Sequence, residues 1–191
     1  MARKAPLDPA AKFADRLNYL PIAVFGLWLG PMVHLWPQLW GPTLPFGTPP
    51  PSLPPWPWFI GAVGAGLAVF AVPRGWYRPR AFETRLYRWL GVRTFRRLAT
   101  NGDAIVRAVR ARFPGYTVHA RDHGRALANT MTGEKSHLVC LMFGAVTSAY
   151  LLAIGWNGWA AWTIATNIVA NLYPILLQRY TRGRLARLGI G

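Results

Sequence analysis

Long stretches without a single charge set the pattern of this chain. No Asp, Glu, Lys or Arg stands between Tyr19 and Trp40 or between Trp56 and Val72, and further uncharged runs extend from Leu138 to Trp156 and from Gly158 to Leu177. At 1.5 Å per residue, about 20 residues cross a hydrocarbon core of roughly 30 Å, so each run predicts a membrane-spanning helix, the second one short or little tilted. Asn157 and Gly158 leave almost no connection between the last two runs, which predicts a helical hairpin. The expected architecture is all-α. It has an N-terminal cytoplasmic tail (1–18), spans at 19–40, 56–73, 137–156 and 158–178, an outer loop (41–55), a basic cytoplasmic segment (74–136) and a basic tail (179–191).

Charge placement orients these elements. The chain has 191 residues, 22 Lys and Arg against 6 Asp and Glu, and a formal charge of +16, yet 52% of it is apolar. Four basic residues lie in 1–18, fourteen between Arg74 and Lys135, and four between Arg179 and Arg187. Every one falls on the same side of the four expected spans, as do all six acidic residues, which predicts a multi-pass protein of the cell (inner) membrane with both termini cytoplasmic. Trp36, Trp40, Trp56, Trp58, Trp156, Trp159 and Trp162 gather at the opposite ends, where an aromatic belt belongs. The net charge is thereby a topology signal, and no nucleic-acid partner is expected. A single cysteine, Cys140, excludes an internal disulfide and a CxxC metal site, and no metal or cofactor is expected. The first apolar run is too long for a signal peptide and no small-x-small site follows it, so an uncleaved helix is expected.

Eight of the 17 prolines fall in GPTLPFGTPPPSLPPWP, a stiff outer strap or plain spacer. In span two, Gly61, Ala62, Ala65 and Gly66 have the small-xxx-small spacing that permits close helix contact. Phe82, Leu86, Trp89 and Leu90 recur at helical spacing with Arg85 and Arg88 off that face, which suits a helix lying in the interface. A second helix is expected with Asn101 as its cap, Asp103 in its first turn, Ile105, Val106, Val109 and Phe113 as its apolar stripe, and Pro114-Gly115 at its end. A third, beginning near Asp122, is expected to run straight into span three.

That continuity puts Glu134 and His137 one turn apart where the chain enters the membrane. Such a histidine can serve as a general base near neutral pH, with the carboxylate fixing its tautomer; equally, both can be the polar end of an interfacial helix. His34 is an ionisable group within span one, and Asn167 and Asn171 share one face of span four, as interhelical glue or as the lining of a site. Arg179, Arg182, Arg184 and Arg187 directly follow a span, where basic residues anchor helices to headgroups.

Three motifs in fixed order carry a family resemblance over residues 81–187. Asn171, followed by Gln178-Arg179-Tyr180-x-Arg182-x-Arg184-Leu185, resembles the ending of the glycosyl-4,4'-diaponeurosporenoate acyltransferase family of staphyloxanthin-type carotenoid pathways. Phe82-Glu83, Tyr87, Leu90, Val92, Phe95-Arg96, Leu98 and Gly102 are similar to a second family pattern, and Glu134-Lys-Ser-His137 to its ExxH. Asn129 and Thr132 stand where that pattern has a further Glu and Arg. The resemblance implies a membrane O-acyltransferase that moves a fatty acyl group from an acyl-CoA or acyl-carrier thioester to a sugar hydroxyl of a lipid-soluble carotenoid glycoside or related glycolipid. It implies His137 as base and Glu134 as its orienter, with Glu83, Asn171, Gln178, Arg179, Tyr180 and Arg182 holding substrate. The alternative is a non-catalytic pigment- or lipid-binding subunit of a larger membrane complex.

Overall fold

The computed structural model describes residues 8–36, 52–116 and 123–187, and among them every regular element is helical. The helices are α1 (Pro9–Leu35), α2 (Pro55–Ala68), α3 (Glu83–Trp89), α4 (Val92–Leu98), α5 (Asp103–Arg112), α6 (His123–Ala153), α7 (Asn157–Asn167) and α8 (Tyr173–Arg187). Single turns at Val69–Ala71 and Arg74–Tyr77 link α2 to α3, and a π-helical turn at Ile168–Leu172 joins α7 to α8 without a break. Asp8 opens α1 by accepting the Ala10 N–H at 3.0 Å, with Pro9 in the first turn, where a missing N–H costs nothing. The proline-rich strap lies largely outside the described residues, as do Trp40, Asp122 and the His34 side chain.

Among the described residues two helices are long and apolar enough to cross a membrane, Ala128–Ala153 within α6 and Asn157–Arg187 through α7 and α8; the apolar helix Pro55–Ala71 is shorter. The first expected span follows the apolar end of α1 and continues past the described residues at Trp36. In the two long helices only 28% and 33% of the most apolar window is buried within the protein. Their outward residues include Met142, Leu152, Ile164, Ile168 and Val169, so neither is the enclosed core helix of a water-soluble bundle.

Packing divides the bundle into an aromatic end and a charged end. At the aromatic end Trp36 stacks on Tyr150 at 5.8 Å, and Trp58, Trp156 and Trp159 close around them. Ala62 and Gly66, one turn apart on α2, face α6, and a side chain at Gly66 would meet Val139 at 3.3 Å. The hairpin between α6 and α7 turns at Gly155, earlier than the Asn157-Gly158 pair expected from sequence. Gly155 takes φ +80°, its N–H reaches the Leu152 carbonyl, and the Trp156 N–H reaches that of Leu151, the paired bonds that satisfy orphan carbonyls at a helix end. Asn157 is already the first residue of α7.

At the charged end Ala10 and Ala14 of α1 pack on Val109 of α5, and Phe13 meets Phe113 at 6.2 Å. Asn101 does not cap α5 as expected. Its backbone adopts φ +54°, its N–H donates to Asn18 Oδ1 at 2.7 Å, and its Oδ1 accepts from Asn18 Nδ2 at 2.9 Å, so it ties the α4–α5 turn to α1. Gly102 makes that turn possible: a Cβ there would lie 2.3 Å from the Arg96 carbonyl oxygen and 2.6 Å from that of Ala99. Gly102→Ala is therefore expected to cost about 1–3 kcal/mol through overpacking. A thermal melt of the purified variant checks this, and an unchanged midpoint contradicts it.

Candidate functional site

The site begins on α3, a short helix whose polar face is buried and whose apolar residues are exposed. Phe82, Leu86 and Trp89 are 60%, 42% and 82% exposed, whereas Glu83 and Tyr87, four residues apart and on one face, are buried. Opposite them stand Arg179 and Arg182 of α8, and from the third side Glu134 of α6, which is wholly buried. Arg179 grips Glu83 with two bonds, Nη2 to Oε1 at 2.6 Å and Nε to Oε2 at 3.2 Å. The same Nε–H reaches the Tyr87 hydroxyl at 3.2 Å, and Nη1 donates to the Trp76 carbonyl and to Glu134 Oε1, both at 3.0 Å. Arg182 donates to the other oxygen of Glu134, to the Tyr77 carbonyl at 3.1 Å and to the Thr130 carbonyl at 3.1 Å.

Two carboxylates and two guanidiniums thus cancel in one buried cluster. Burial raises the Tyr87 hydroxyl above its ordinary pKa, partly offset by the bond from Arg179, so it adds no charge. The planar fork of arginine can bridge two carboxylates and a carbonyl at once, which a lysine ammonium on the same stem does not do. The cluster binds α3, the Arg74–Tyr77 turn, α6 and α8 to one another. Glu134 was expected to hold His137; both its oxygens are instead committed to arginine.

His137 has another partner. Its Nδ1 lies 3.3 Å from Asn171 Oδ1, and Phe25 of α1 meets the ring edge-on at 6.4 Å. Asn171 donates through Nδ2 to Asn167 Oδ1 at 2.8 Å, and Asn167 donates through Nδ2 to the Leu141 carbonyl at 3.0 Å. Because a carbonyl can only accept, this chain of bonds has one direction. Asn171 presents an acceptor to the ring, the proton of the neutral imidazole sits on Nδ1, and Nε2 keeps its lone pair. The π turn at Ile168–Leu172 carries Asn171, and such single-turn insertions occur often at functional sites. Gly144 makes room for Asn167, since a Cβ there would lie 2.8 Å from the amide.

Gln178 packs half-buried against Gly133, where a Cβ would lie 3.0 Å from its Nε2. Gly133 and His137 are four residues apart on α6, so the Gln178 amide and the imidazole occupy successive turns of the α6–α8 seam. Tyr180 turns to the other side, packed with Tyr87 and Val92. Of the eight residues expected from sequence, Glu83, Glu134, Arg179 and Arg182 form the charge cluster, His137 and Asn171 meet one turn deeper along α6 with Gln178 on the turn between, and Tyr180 packs apart on Tyr87. Tyr87, absent from that expectation as a site residue, and Asn167, expected as glue or as the lining of a site, complete the two hydrogen-bond systems.

The model of the glycosyl-4,4'-diaponeurosporenoate acyltransferase family matches residues 73–189, well over half of the chain. The chain belongs to that family. The match takes in all of α3 to α8, hence both carboxylates and both arginines of the cluster and the His137–Asn171 pair. As a family member it is an acyltransferase of carotenoid glycoside modification. Searches of curated proteins and of solved structures return no match.

Proposed function

We propose that this family member is a multi-pass membrane enzyme that esterifies a sugar hydroxyl of a carotenoid glycoside or related glycolipid with a fatty acyl group from a thioester. The single observation that carries the reading is the His137–Asn171–Asn167–Leu141 chain, which directs the Nδ1 proton of the imidazole to Asn171 beside the apolar α6–α8 seam. In the reaction the sugar oxygen attacks the thioester carbonyl while its proton passes to His137 Nε2. The tetrahedral oxyanion then collapses, the C–S bond breaks, and the thiolate leaves with the proton that His137 returns. Gln178, which makes no hydrogen bond among the described residues, is the amide donor on the next turn for that oxyanion. Glu83, Glu134, Arg179 and Arg182 hold the three helices in register and touch neither reactant.

A membrane setting suits both substrates. The acyl tail and polyene partition into lipid, and exposed Phe82, Leu86 and Trp89 lay α3 on the interface. All basic segments fall on one side of the four apolar runs in the sequence, which supports four crossings with both termini cytoplasmic. Lipid extracts of cells with and without the gene, compared by mass spectrometry, are expected to differ by one acyl chain on a glycosylated lipid. Identical profiles would refute the assignment and favour a non-catalytic lipid-binding subunit.

A further inference from the structure

A cavity of about 420 Å³ opens at the charged end, separate from the buried cluster. Arg88 from α3, Arg93, Arg96 and Arg97 from α4, and Arg184 and Arg187 from α8 line it. Its other lining residues are Asp103, which pairs with Arg96 at 2.8 Å, and Tyr180. Six positive groups thus face one negative group that is already engaged. Among the described residues no carboxylate pairs with Arg88, Arg93, Arg97, Arg184 or Arg187. Arginines that only anchor a span to headgroups fan outward along its end; here three helices turn theirs into one concavity, where mutual repulsion disfavours the arrangement unless an anion occupies it.

We propose that this cavity binds the phosphates of a coenzyme A thioester, so that the acyl donor is a nucleotide-linked thioester and not a carrier protein. The inference rests on the acyltransferase reading above and names its donor. Guanidinium forks match phosphate oxygens in bidentate geometry, and several are needed to hold a diphosphate and a further phosphate together. The volume lies within the range of about 300–1,000 Å³ typical of small-molecule sites, larger than one phosphate requires. The cavity opens on the face of α8 opposite Gln178, and nine residues, roughly 13 Å at 1.5 Å per residue, separate Tyr180 from Asn171 along the chain. A flexible pantetheine arm that passes around α8 leaves the phosphates in water and brings the thioester to His137.

The test is binding of coenzyme A to the purified full-length protein in phosphatidylcholine nanodiscs, by calorimetry, against pantetheine, which lacks the phosphates. Coenzyme A is expected to bind, pantetheine at least about tenfold more weakly, and Arg93→Gln/Arg184→Gln to weaken coenzyme A by about tenfold per lost charge-assisted contact. Arg107→Gln, exposed on α5 and outside the cavity, is expected to leave binding unchanged. Equal binding of coenzyme A and pantetheine, or an unchanged double variant, overturns the proposal. Two other patterns overturn it too: no affinity for coenzyme A with arginine-dependent binding to phosphatidylglycerol vesicles, a headgroup site, or with capture of an acidic acyl carrier protein. Arginine-dependent coenzyme A binding without acyl transfer keeps the cavity's assignment and removes the acyltransferase reading. Transfer with an unmoved KM for acyl-coenzyme A in the double variant does the reverse.

Discussion

His137→Ala is expected to lower acyl transfer by about 10²–10⁴-fold, the usual contribution of a general base, while protein level and melting temperature stay near those of the parent. The ring is half-buried and its side-chain hydrogen bond, to Asn171 Oδ1, is 3.3 Å long, so little of the fold depends on it. Asn171 acts through the histidine. With alanine there, nothing fixes the Nδ1 proton, and the ring can present N–H where a lone pair is required. Asn171→Ala is accordingly expected to reduce kcat by less than His137→Ala, with KM for the thioester little changed. Product formation in membranes containing each variant at matched protein level measures both effects. Full activity of His137→Ala would show that the proton goes elsewhere.

The opposite signature is expected at Glu134. Alanine there strands Arg182 and part of Arg179 without their shared carboxylate, in a site where Glu134 is wholly buried and Arg182 is 3% exposed. Removing one partner of a buried ion pair costs about 3–5 kcal/mol, mostly from the charge left uncompensated. Glu134→Ala should therefore fail to accumulate or should melt far below the parent, and activity should fall in proportion to folded protein. Glu134→Leu/Arg182→Met removes a charge of each sign and is expected to be less destabilised than the sum of the single variants. Additive losses in thermal melts would mean the two residues do not share one interaction.

The fold was legible in the sequence where a single property decided it. Absence of charge over about 20 residues needs no tertiary knowledge, and the uncharged runs lie on α1, α2, α6 and the continuous α7–α8. Local chemistry was harder to locate. Asn101 has the right residue type and place for a cap, but Asn18, 83 positions away, offers it two bonds that α5 does not. Helical spacing on α3 identified its apolar face, whereas the buried surface turned out to be Glu83 and Tyr87, which Arg179 holds from α8 across more than 90 residues. The spacing of Glu134 and His137 suggested a pair. What separated them is the reach of two arginines 45 and 48 residues downstream, and no local pattern encodes that. The π turn that brings Asn171 to His137 adds one residue to a helical turn and leaves the apolar run unbroken, so it has no sequence signature.

The most direct test of acyl transfer by this chain uses purified protein in vesicles with a glycosylated carotenoid and a fatty acyl thioester as the only substrates. Mass spectrometry follows the ester and a thiol reagent follows the released thiol. The expected result is one ester per thiol released, with both lost together in His137→Ala. Thiol release without ester, or no reaction by folded protein that binds both substrates, would contradict it.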